Sequence, residues 1–167
     1  MIDDMSRASF AHWPCSIART MDLLGDGWTP LVLREVFYGV TRFDAMRDSL
    51  GIARTPLADR LRRLVDEGLL ERHAYQAGPT RYDYVLTDKG RDVFPVLVAM
   101  ARWGERWLAT EPGPSIVFHH DACGQQSQGE VVCAGCGEPM TALGTRMRTG
   151  PGVPRRPVGR PLGDGRT

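Results

Sequence analysis

The sequence predicts a mainly α chain of the α+β class. Short helices are closed by one β-hairpin and followed by a further helix, a small cysteine-bearing appendage and a basic tail. Three observations predict this. Apolar residues recur at helical spacing in four segments between residues 15 and 67. Glycines or Thr-Pro pairs punctuate these segments, as helix ends and starts require. After Gly68 the pattern changes to two short, aromatic-rich extended runs on either side of Gly78-Pro79. A chain of 167 residues with 42% hydrophobic and 25% charged residues buries a core without staples and is not wholly disordered. Its apolar runs fall short of the ~18 residues a membrane helix needs. The acidic start Met1-Ile2-Asp3-Asp4-Met5 lacks a basic-then-apolar leader, so a cytoplasmic protein is expected.

Each element has a local cause. From Cys15 to Leu24, Ile17, Met21 and Leu24 stand at i, i+4 and i+7, and Gly25-Asp26-Gly27 stops the helix. Thr29-Pro30 is an N-cap followed by proline at the first helical position. Leu31, Val32, Leu33, Val36 and Phe37 make the helix from Pro30 to Tyr38 apolar on most sides, hence buried, and Gly39 ends it. Thr41 and Asp44 resemble a capping box, and Phe43, Met46 and Leu50 mark a third helix ending at Gly51. Thr55-Pro56 repeats the N-cap signature for a fourth helix with Leu57, Leu61 and Leu64 as its buried stripe. Leu69 to Tyr75 and Tyr82 to Leu86 form a hairpin, with residues 76–81 as a loop of moderate length. Thr87 caps a helical region reaching Ala109, which Pro95 breaks near Phe94.

Helices, a glycine turn, a further helix and a hairpin, in that order, are the winged helix-turn-helix pattern. The turn Leu50-Gly51-Ile52-Ala53 crosses two helices at the angle that seats the second in a DNA major groove. The net charge of +1 argues against nucleic acid only until it is divided. Residues 15–112 are balanced, residues 113–142 carry −3 and no Lys or Arg, and residues 143–167 carry +5. Within the balanced body, residues 54–63 hold four Arg against one Asp. Contact-face charge, not the domain sum, governs DNA affinity. All but one of the 21 basic residues are arginines, the fork-shaped donors suited to phosphate and guanine, although a genome rich in G and C raises arginine as well. The expected DNA-contacting residues are Arg54, Thr55, Arg60 and Arg63 on the fourth helix, Arg42 at the start of the third, and Arg81 on the wing. The bland alternative for the fourth helix is a solvated face of ion pairs, Asp59–Arg63 and Arg63–Glu67.

The chain resembles the HxlR-type winged helix-turn-helix transcriptional regulators of bacteria. The resemblance rests on Cys15 before the first helix, the run from Leu23 to Thr29, Leu33-Arg34-Glu35, and Gly39 with Arg42-Phe43. It continues through Ile52, Leu57, Arg60-Leu61 and Leu64, then Gly68-Leu69-Leu70 with Arg72, Tyr84 with Leu86-Thr87 and Gly90, and Trp103-Gly104. It covers about residues 15–109. It implies a homodimer that binds a palindromic operator in double-stranded DNA, with the first and last helices as the dimer interface. The residues support a dimer independently: Met100, Trp103, Trp107 and Leu108 form an apolar stripe that a second copy could cover. In some relatives a cysteine at the place of Cys15 senses oxidants, and a helix N-terminus favours its thiolate. Here Ser16 stands where the family commonly has Pro, and a small packing cysteine is the alternative.

Residues 10–109 are thus expected to be the DNA-binding and dimerisation domain, and residues 143–167, with six Gly and four Pro, a disordered basic tail that adds sequence-blind affinity. Between them, behind a Pro/Gly linker, residues 116–142 place His120 and Cys123-Gly124, then Cys133 and Cys136-Gly137, at zinc-knuckle spacing. Four N/S ligands suit structural zinc, in a ribbon with little core of its own. His119 is an alternative to His120, and a Cys133/Cys136 redox dithiol is an alternative to zinc. No Gly-rich phosphate loop, nucleophile elbow or paired-carboxylate motif is present, so an enzyme is not expected. A thiol-redox protein, or an interaction module that does not bind DNA, is the remaining alternative.

Overall fold

The structure is a computed structural model, which describes residues 9–110 and 112–152. The chain forms two compact units, and the division falls inside a helix, between Leu97 and Val98.

The first unit opens with α1 (Ser16–Leu24), α2 (Thr29–Phe37), α3 (Phe43–Leu50) and α4 (Arg54–Asp66). The hairpin β1 (Leu70–Ala77) and β2 (Thr80–Leu86) follows, then the single turn α5 (Asp88–Arg91) and α6 (Phe94–Trp107). The predicted apolar stripes of the middle helices meet in one core: Val32 and Leu33 of α2, Met46 of α3, and Leu57, Leu61 and Leu64 of α4 are buried, with Leu69 and Leu70 closing it. Each such side chain contributes roughly 1.5–3 kcal/mol by leaving water. The stripe of α1 behaves differently, since Leu24 is buried while Ile17 and Met21 lie open. A buried carboxylate links α2 to α3: Glu35 accepts from Ser49 Oγ at 2.6 Å and from Arg34 Nη2 at 2.6 Å.

Three local expectations are corrected. Thr41 does not cap α3; the N-cap is Arg42, with no side-chain bond. The Thr41 hydroxyl instead donates to Asp83 Oδ1 at 2.8 Å, and its carbonyl accepts from Tyr84 N at 2.9 Å, because the chain before α3 pairs with β2 at Arg42–Asp83. Thr29 and Thr55 lie inside their helices, which begin at Thr29 and Arg54. The hairpin loop is short, because pairing runs from Leu70–Leu86 to Ala77–Thr80 and leaves only Gly78 and Pro79 at the tip. Thr87 does cap α5, accepting from Gly90 N at 3.1 Å. α6 starts afresh at Phe94, with Pro95 in its first turn.

The second unit holds the rest of α6 and a two-stranded ribbon, β3 (Phe118–His120) paired antiparallel with β4 (Gln125–Ser127). The Pro/Gly segment after α6 is anchored to it: Glu105 accepts from the backbone N–H of Ser115 at 2.7 Å and from the Ser115 hydroxyl. Arg102 donates to Gly129 O and to Glu130 Oε1, both at 3.0 Å. A Cβ on Gly129 would stand 2.1 Å from Val98 Cγ1. Of the expected tail, residues 143–152 carry no helix or strand, and residues 153–167 lie outside the described residues. Among the described residues no helix is long and apolar enough to cross a membrane.

Candidate nucleic-acid interface

α3 and α4 are joined through Gly51, whose φ of 62° lies in the left-handed region where a side chain is strained. With Leu57, Leu61 and Leu64 turned into the core, the 100° step of a helix puts Thr55, Asp59 and Arg62 on the opposite, outward face. Arg54 stands at the N-terminal end, 71% exposed, 5.2 Å from the centre of the Phe43 ring and 3.6 Å from Asp44 Oδ1. Arg62 is exposed and held by Asp59 Oδ1 at 3.0 Å.

Arg60 and Arg63 leave that face and turn to the flank of α4. Arg63 Nη2 donates to the backbone O of Asp22 at 2.8 Å and lies 3.3 Å from its carboxylate. Arg60 Nε lies 3.1 Å from Asp26 Oδ1. Asp26 also accepts from Trp28 N at 2.9 Å, Thr29 N at 2.8 Å and Thr29 Oγ1 at 2.5 Å, and so takes over the capping of α2 that sequence assigns to Thr29. Burial alone would raise the Asp26 pKa. The Thr29 hydroxyl, the two N–H groups and the Arg60 charge outweigh it and bring the carboxyl down to about 2. The pairs Asp59–Arg63 and Arg63–Glu67 considered from sequence give way to Asp59–Arg62 and Asp22–Arg63.

Arg42 sits where α3 meets the wing, 3.4 Å from Asp83 Oδ1 and 4.4 Å from the centre of the Tyr75 ring, with its guanidinium still largely in solvent. Arg81 is exposed next to the hairpin tip, opposite Gln76. Arg42, Arg54, Thr55 and Arg81 are therefore accessible, together with Arg62, which sequence reasoning left out of its contact set. Its signal was present: Arg62 is seven residues from Thr55, two helical turns along the same face.

The remaining candidates fall elsewhere. Cys15 is the N-cap of α1, half-buried, and its side chain makes no capping bond. Met100, Trp103, Trp107 and Leu108 are between 52% and 64% exposed. The first three share the side of α6 opposite Val98, Arg102 and Glu105, and Leu108 borders it. In the appendage His120 Nδ1 lies 3.3 Å from Cys123 Sγ. The Gly135 N–H, then the N–H and thiol of Cys136, hydrogen-bond Cys133 and hold its thiol below the ordinary range. These four thus form two pairs, and among the described residues no three His, Cys, Asp or Glu side chains converge on one point. All four cysteines are free thiols.

The fold and exposed basic helix define a winged helix-turn-helix protein. The profile of HxlR-like helix-turn-helix proteins matches residues 23–112, and the chain belongs to that family. An uncharacterized HTH-type transcriptional regulator of Mycobacterium tuberculosis (strain H37Rv) is 42% identical over 137 residues, 82% of this chain and 87% of the relative. One from Synechocystis is 42% identical over 98 residues, 58% of this chain and 73% of the relative. Among solved structures, PA1607, a candidate transcription factor, superposes with a TM-score of 0.73 at 37% identity, covering 84% of this chain and 99% of that one. The oxidized form of the redox regulator HypR gives 0.51 at 30% identity, covering 55% and 96%.

Proposed function

We propose that the protein is a transcriptional regulator that binds double-stranded DNA as a homodimer, acting by binding and not by turnover. The observation that carries this is the outward face of α4, where Arg54, Thr55 and Arg62 stand clear of the core beyond the Gly51 turn. In this reading α4 enters the major groove and those three side chains meet base edges and flanking phosphates, while Arg42 and Arg81 hold the backbone on the wing side. Arg60 and Arg63 act through Asp26 and Asp22 as positioning residues that fix the roll of α4.

The apolar side of α6 supports the dimer. One side of this helix is occupied by the chain's own appendage, while Met100, Trp103 and Trp107 on the other face solvent. A two-fold pair burying them would present two copies of α4 to a palindrome with half-sites about 34 Å apart. The test is a gel shift of the full chain on DNA from upstream of its own gene. Binding that survives excess nonspecific DNA is expected. Its absence in every redox and metal state and at low salt would overturn the reading.

A second reading concerns the signal. Cys15 at the N-cap of α1, together with the likeness to the redox regulator HypR, supports a thiol that alters DNA binding on oxidation. Cys15→Ser is expected to make DNA release insensitive to diamide or quinone. If release is unchanged in that variant, the signal enters elsewhere.

A further inference from the structure

The appendage has no part in the DNA-binding reading, yet it carries three of the four cysteines. We propose that it is a structural zinc centre in which Zn²⁺ is held by Nδ1 of His120 and the thiolates of Cys123, Cys133 and Cys136.

Each half of the centre is already shaped by backbone. After β3 the chain turns so that Cys123 N and Gly124 N both donate to His120 O, at 3.1 and 2.8 Å, with Gly124 at φ 66°. This turn sets Nδ1 of His120 3.3 Å from Cys123 Sγ. Zinc bonds of about 2.0–2.1 Å to nitrogen and about 2.3 Å to sulfur, at a tetrahedral angle, require about 3.5 Å between such atoms. The second half repeats the turn: Gly137 N donates to Cys133 O at 2.8 Å, Gly137 has φ 77°, and Val132 pairs with Pro139 across it. The second turn folds over Cys133, where a Cβ on Gly135 would stand 3.8 Å from Sγ. His119 is the neighbour on the strand, across from Gln126, and alternation sends it to the other face, which selects His120 as the ligand.

Folding energetics point the same way. No side chain between 116 and 142 is fully buried, and Val117, Val131, Val132 and Met140 all lie open. Strands of three residues do not hold themselves together in water. Among the described residues the two pairs do not meet at one point; in the proposed centre Zn²⁺ draws them together and supplies the missing folding energy. Four protein ligands leave no position for water, so the centre is structural and not catalytic. Each protonated thiol gives its proton to solvent on binding, and three thiolates on Zn²⁺ leave the centre at −1. No Lys or Arg lies between 113 and 142, and Arg102 of α6 is committed to Gly129 O and Glu130.

The test uses the full chain purified with reductant and without chelator. Elemental analysis is expected to find about one zinc per chain. Adding Co²⁺ alone to the stripped chain is expected to give the intense visible absorption of a tetrahedral site and a thiolate charge-transfer band. Cys123→Ser, Cys133→Ser and Cys136→Ser should each weaken Co²⁺ binding on the order of 100-fold. His119→Asn should leave it unchanged, and His120→Cys should keep the metal with a stronger charge-transfer band. Zinc well below one per chain together with a pale, octahedral cobalt spectrum in the wild type would overturn the proposal. So would a Cys133–Cys136 disulfide forming with no metal bound, or loss of metal from His119→Asn but not His120→Asn.

Discussion

Asp26 sits between two glycines and gathers the start of α2, the Thr29 hydroxyl and the flank of α4 on one carboxylate. Its pKa of about 2 lies below the unfolded value near 3.9, so the folded state favours the charged form. That contribution is fully present above about pH 4 and is lost as pH falls through about 2. Asp26→Asn is therefore expected to lower stability by about 2 kcal/mol at pH 7 and to flatten the fall in stability between pH 4 and 2. Urea unfolding at several pH values measures both. Arg62 and Arg63 are neighbours with opposite expectations. Arg62→Ala should weaken operator binding by roughly 10–100-fold and leave the melting temperature nearly unchanged. Arg63→Ala should lower stability by about 1–2 kcal/mol through the lost bonds to Asp22. Melting curves beside fluorescence anisotropy on operator DNA separate the two.

At the scale of elements, the structure rewards sequence patterns whose cause is local. The stripe Leu57-Leu61-Leu64 is legible because helical spacing alone decides which side is wet, whereas α2 reads as apolar on most sides and only packing singles out Val32, Leu33 and Val36. The Thr87 cap is legible because its partner, Gly90, is three residues away. The role of Thr41 was not, since Asp83 is 42 positions distant and reaches it only once the wing folds back. Arg63 is the same case: a charge run reads as a solvated face until Asp22, 41 residues earlier, is packed beside it. The pairs His120/Cys123 and Cys133/Cys136, proposed to hold zinc, were legible as spacing, and preferring His120 to His119 in that proposal needed the strand. Gly90 shows what an element junction costs to disturb. The Thr87 N–H donates to the Leu69 carbonyl at 3.1 Å, and a Cβ at Gly90 would collide with that same oxygen. Gly90→Ala is expected to destabilise the first unit by about 2–3 kcal/mol, read by thermal or urea unfolding.

For the whole molecule, the open apolar side of α6 sets the oligomeric expectation. Trp103→Glu with Trp107→Glu should convert the dimer to a monomer in sedimentation velocity. Operator affinity should fall by at least about tenfold, because two half-sites would no longer be read together. A wild-type chain that sediments as a monomer at micromolar concentration would remove the dimer from the functional reading. Sequence showed the stripe but not its exposure, which depends on the Glu105 and Arg102 bonds that commit the other side of the helix.

The arginines of α4 that turn back on their own chain also set how the protein feels salt. A basic helix of four free guanidiniums in each copy would displace a cloud of counterions from DNA, with a steep loss of affinity as salt rises. Here Arg60 and Arg63 are neutralised within the fold, and Arg62 is shared with Asp59. Arg42, beside Asp83 at 3.4 Å, and Arg54, beside Asp44 at 3.6 Å, are held more loosely, and with Arg81 they are the main phosphate neutralisers of the winged helix. A pair of such domains should release about six ions, giving a slope of log affinity against log salt near −5. The protein would find its site less by electrostatic pull than by fit.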